Sequence, residues 1–125
     1  MSEIQIVPLA RAAPIALANG SWTKMLVTRE YVAGNDTALG FSLFTAGTVT
    51  ELVAHEVEEL VFVVEGHGEL RRDVGAPVPF SSGDAIFVPR RAWHAVANLS
   101  EGDVTMVCVF PHPTYPPTER RSAIV

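Results

Sequence analysis

Glu51-Leu52-Val53-Ala54-His55-Glu56-Val57-Glu58-Glu59-Leu60-Val61-Phe62-Val63-Val64 is the stretch that decides the fold. Its second half, Leu60 to Val64, is short, β-branched and aromatic, and a glycine turn follows at Gly66. A five-residue run of that kind reads as a buried strand rather than a helix. Successive side chains of a strand point to opposite faces, so His55, Glu59, Val61 and Val63 share one face wherever the strand is regular. If that face is interior, an imidazole and a carboxylate project into an apolar chamber. A bare carboxylate there is costly unless it is paired or bound to a metal.

Downstream, Gly83 to Asn98 contains a strand, a turn bounded by Pro89, and a second strand beginning near His94. Proline cannot donate to a ladder and belongs at such a boundary. His94, Val96 and Asn98 share a face. Similar short runs recur along the chain at Ile4–Val7, Trp22–Thr28, Ala38–Thr45, Thr50–Ala54, Leu60–Val64, Gly68–Asp73, Ala85–Val88, His94–Ala97 and Val104–Phe110. Glycine-containing turns separate them at Gly34-Asn35-Asp36, Glu65-Gly66-His67-Gly68, Ser81-Ser82-Gly83-Asp84 and Ser100-Glu101-Gly102-Asp103. Many short strands without crossover helices predict an all-β antiparallel sandwich or barrel.

The chain has 125 residues, the size of one domain, with 48% hydrophobic and 18% charged residues. The expected core runs over about 22–110. An N-terminal strand or arm (1–21) precedes it, and a proline-rich arm (111–125) follows, laid over the surface or a neighbouring subunit. Nine Lys and Arg against fourteen Asp and Glu give a net charge of −5. No basic stripe is available for a phosphate backbone, which argues against nucleic acid as a partner. No run approaches the roughly 20 apolar residues that span a bilayer, and neither a signal peptide nor a cysteine pair is present, since Cys108 is alone. A cytoplasmic protein with no membrane partner is expected.

The two patterned segments resemble the two motifs of the cupin superfamily, with its small single-domain barrels. Gly47, Val53, His55, Glu59 and Gly66 occupy the first motif's glycine, two histidine, glutamate and glycine places. Gly83, Pro89, Arg91, His94 and Asn98 occupy the glycine, proline, glycine, histidine and asparagine places of the second. The resemblance implies an antiparallel double-stranded β-helix, or jelly-roll barrel, and a homodimer. It also implies one divalent metal ion, iron, manganese, nickel or zinc, held by three histidines and a glutamate. Val53 stands where the first histidine belongs, which leaves His55, Glu59 and His94, a set similar to the two-histidine, one-carboxylate triad. Glu51, Cys108 and His112 are candidates for a further ligand.

Arg91 replaces the second motif's middle glycine, at a turn where positive φ is often required. It is either a reshaped, solvent-exposed turn or a clamp for a substrate carboxylate at the barrel mouth. Alternation gives Phe41, Leu43, Val61, Val63, Met106, Cys108 and Phe110 as interior residues. The function implied is a small metal-dependent enzyme of dioxygenase, isomerase, cyclase or lyase type, acting on a small polar metabolite with His55, Glu59 and His94 as catalytic groups. The alternative is a metal-free cupin that binds a small molecule without catalysis.

Overall fold

The computed structural model describes residues 3–122. Eleven strands are present among them: β1 (Pro14–Ala16), β2 (Trp22–Val27), β3 (Ala38–Phe44), β4 (Leu52–His55), β5 (Glu59–Glu65), β6 (His67–Arg72), β7 (Val78–Ser81), β8 (Ala85–Val88), β9 (His94–Asn98), β10 (Val104–Phe110) and β11 (Thr118–Arg121). They form a six-stranded sheet in the order β1-β2-β3-β10-β5-β8 and a five-stranded sheet in the order β11-β4-β9-β6-β7. Every strand pairing is antiparallel. The expected all-β jelly roll is therefore what the chain adopts.

The alternation of β5 is as read: Glu59, Val61 and Val63 are buried, while Leu60, Phe62 and Val64 lie on the exposed outer face. That of β3 is the reverse of the expectation. Ala38, Gly40, Ser42 and Phe44 face inward, and Phe41 and Leu43 face outward, Phe41 packing against Trp22 with ring centroids 6.3 Å apart. Space sets this parity. A Cβ added at Gly40 would stand 2.5 Å from Met25 Sδ and 2.9 Å from Cys108 Sγ, so the crowded inner face of β3 takes its small residues.

Two further expectations change. Ile4–Val7 is not a strand, and Ile4 and Ile6 are almost fully exposed. With Pro8 following, this apolar run finds no partner, and the side chain of Gln5 tethers it through hydrogen bonds with the backbone of Ala33. The short strand Pro14–Ala16 pairs with β2 instead. The proline-rich segment is not a surface arm over its described length, because β11 pairs with β4 in the register Thr118↔His55 to Arg121↔Leu52. Tyr115 packs against the core cluster. Residues 123–125 of that arm, and 1–2 of the N-terminal one, lie outside the described residues.

Candidate metal centre

His55 ends β4, Glu59 begins β5 and His94 begins β9, so three strands from both sheets bring their side chains to one end of the interior. Val53 lies directly opposite His94 in the β4–β9 register, which places the residue at the motif's missing histidine beside the cluster. The backbone also fixes the end of β4. The N–H of Arg91 donates to the carbonyl of His55 at 2.7 Å. Arg91 holds φ at 65°, so the arginine adopts the left-handed conformation of the motif's glycine, and the turn is not reshaped. Its side chain is exposed and does not line the cavity.

Glu59 Oε1 is 3.3 Å from His55 Nε2 and 3.2 Å from His94 Nε2. Both Nδ1 atoms are already committed. His94 Nδ1 is 2.9 Å from the carbonyl of Ala92, which can only accept, so that nitrogen carries a proton. His55 Nδ1 is 2.7 Å from Thr118 Oγ1, whose hydroxyl donates to the carbonyl of Pro116 at 2.8 Å. With its proton spent, Thr118 Oγ1 accepts from His55 Nδ1–H. Both imidazoles therefore turn Nε2 toward the same carboxylate oxygen, an arrangement that a cation held between the three would satisfy. The donor set and its second layer of hydrogen bonds fit a divalent ion. The three ligand atoms lie within 4.8 Å of one another, the one such His, Cys, Asp or Glu cluster among the described residues.

The titration of the cluster follows the same geometry. Burial alone would raise the carboxyl of Glu59, but hydrogen bonds from His55 and His94, with their charge, hold it below the ordinary range. Burial alone would lower His94, yet its hydrogen bond to Glu59 and that carboxylate's charge raise it.

The cluster opens into a cavity of about 390 Å³. Val61, Leu70, Ile86, Val96 and Met106 form much of its wall, with Phe44, Phe110 and Tyr115. The His55 ring meets those of Phe110 and Tyr115 edge-on, with centroids at 5.0 and 5.7 Å. Burial pushes the Tyr115 phenol up, partly offset by the charge of Arg120. This lining is predominantly apolar.

Of the three candidates for a further ligand, none joins the cluster. Cys108 lines the cavity, but burial and the neighbouring Glu59 carboxylate push its thiol up to about 12, and a protonated thiol is a poor ligand. Glu51 is exposed at the mouth, 3.5 Å from Arg120. His112 does not line the cavity, and its Nδ1 sits beside the Thr114 carbonyl at 3.0 Å. Asn98, also on the expected face, is buried and ties β9 to the Phe44 and Gly102 carbonyls at 2.9 and 3.0 Å. Tyr115, Thr118 and Arg120 escaped the sequence reading, because a four-residue strand after a run of prolines carries no periodicity long enough to register.

A family model described as a cupin domain matches residues 40–110, and the chain belongs to that family. Among solved structures, the polyketide cyclase RemF from Streptomyces resistomycificus is similar at a TM-score of 0.78 and 19% identity, over 98% of this chain and 87% of its own. A cupin-like protein from Thermotoga maritima is similar at 0.75 and 18%, over 99% and 92% of the two chains. An oxalate decarboxylase from Lactobacillus farciminis, in a formate complex, is similar at 0.78 and 19%, over 90% of this chain but 34% of its own. At these identities the likeness establishes the fold. No curated protein matches the sequence.

Proposed function

We propose that this cupin is a metal-dependent enzyme in which His55, Glu59 and His94 hold one divalent ion at the end of a mostly apolar chamber. The observation that carries the proposal is the pair of Nε2 atoms turned on one carboxylate oxygen, with each Nδ1 held by a fixed acceptor. That cupins of this shape include a polyketide cyclase and an oxalate decarboxylase supports a catalytic rather than a purely structural role. A bound ion would supply Lewis-acid polarisation of a ligand oxygen, or activation of dioxygen if it is iron. The chain's own residues do the rest. Thr118 and Ala92 orient the imidazoles, and the aromatic and aliphatic wall gives the ion a mostly apolar surrounding. The reaction is of the isomerase, cyclase, lyase or dioxygenase kind.

Elemental analysis of protein purified without chelator tests the reading. Near-stoichiometric metal in wild type that is lost in His94→Ala, with the fold retained by circular dichroism, is expected. Metal in neither protein, even after incubation with iron, manganese, nickel and zinc, overturns it in favour of a metal-free ligand-binding cupin. Val53→His, placed across from His94, is expected to tighten metal binding in a chelator competition, and an unchanged affinity contradicts the assignment of the site. The proposal includes the homodimer that family membership suggests, and sedimentation at micromolar concentration giving only monomer removes that part.

A further inference from the structure

Ser42 and Thr23 are polar side chains of the cavity wall to which metal binding gives no task. Ser42 is 6% exposed and faces inward between Gly40 and Phe44, and a polar group at an interior position is informative where an apolar one is not. Its Oγ lies 2.7 Å from Thr23 Oγ1. One hydroxyl proton serves that bond, which leaves the pair one donor and free acceptor lone pairs. Cys108, buried on the neighbouring strand, lines the same wall.

The strand registers place the pair. Thr23, Ser42, Met106 and Val63 form one row across β2, β3, β10 and β5. Glu59 stands four residues before Val63 on β5, and four residues of strand span about 13 Å. The hydroxyl pair and the His55–Glu59–His94 cluster thus lie at different depths of one chamber, with Cys108, Val61 and Ile86 on the row between them.

We infer that the Ser42–Thr23 pair is a second binding pole, which receives a hydroxyl or carbonyl oxygen at the far end of an elongated, otherwise apolar ligand. The ligand class is a compound with oxygens at both ends and a rigid apolar middle, of the reach of two or three fused six-membered rings. The near end rests on the metal reading, whereas the far end does not.

The test uses 2-naphthol and 2,6-dihydroxynaphthalene as probes, titrated calorimetrically into wild type, Ser42→Ala and Thr23→Val, each with and without added manganese or zinc. The second hydroxyl is expected to improve binding to wild type about tenfold, the worth of one well-made buried hydrogen bond. In both variants that advantage should fall below about twofold, while 2-naphthol affinity stays unchanged. Equal binding of the two probes by wild type overturns the inference, as does an advantage that persists in the variants, or failure of either probe to bind at millimolar concentration. Variants that lose melting temperature while keeping the wild-type ratio also overturn it, because the pair then only joins two strands. Discrimination that survives in a protein binding no metal removes the metal reading and leaves the hydroxyl pole standing.

Discussion

The inner faces of β5 and β3 belong to the same sheet, joined through β10, yet they are built to opposite rules. β5 turns Glu59, Val61 and Val63 inward and leaves Leu60 and Phe62 outside, so its polarity pattern and its packing agree except at the one carboxylate. β3 turns Gly40 and Ser42 inward and its large Phe41 and Leu43 outward. On the concave side of a small barrel, volume can override apolarity. Met25 and Cys108 already fill the space beside Gly40, and the pleat then carries every other residue of the strand with it.

The sharpest way to break this comparison is a pair of truncations on β3. Phe44→Ala, at an inner position only 6% exposed, is expected to cost about 3–5 kcal/mol in urea unfolding. Phe41→Ala, on the half-buried outer face, should cost less than half as much. Equal losses would mean that the two faces are equally packed and that the parity is wrong.

A smaller effect is expected at Thr118, which would act on the proposed metal through His55. Thr118→Val should weaken metal binding about 10- to 100-fold, the usual worth of a partner that orients a ligand, and Thr118→Ser should restore most of it. Chelator competition measures the affinity. A valine variant with unchanged affinity would show that His55 is held by its aromatic neighbours alone.

The smallest effect belongs to Arg91. Its positive φ carries a cost of order 1 kcal/mol for a residue with a Cβ, so Arg91→Gly should change stability by no more than about 1 kcal/mol in the favourable direction, part of the relief being offset by the freer unfolded chain. Metal affinity should not change, because the backbone N–H that holds His55 remains. A destabilised variant would assign the arginine side chain a contact that its exposure does not suggest.

The parts legible in the sequence are those where spacing along one strand is enough. The chain breaks between His55, which ends β4, and Glu59, which begins β5, yet each residue keeps the inward parity of its own strand, as does His94 in β9, and all three meet. Gly66 and Gly83 mark turns where the structure has positive φ. What was not legible depends on partners distant in the chain. Nothing local says that Thr118 pairs with His55, that Ile4–Val7 lacks a neighbouring strand, or that Val78–Ser81 finds β6. The inward turn of Ser42 is hidden for the same reason, since it is set by atoms of Met25 and Cys108 rather than by the residues beside it.

The bond between His55 and Thr118 spans 63 residues. The imidazole and the hydroxyl that orients it thus come from strands far apart in the chain, β4 and β11. Closing so long a loop is an entropic cost met only after the intervening strands are in place. The aim of the His55 imidazole is therefore a property of the assembled barrel, and a chain cut before β11 would keep the ring while losing the hydroxyl that orients it.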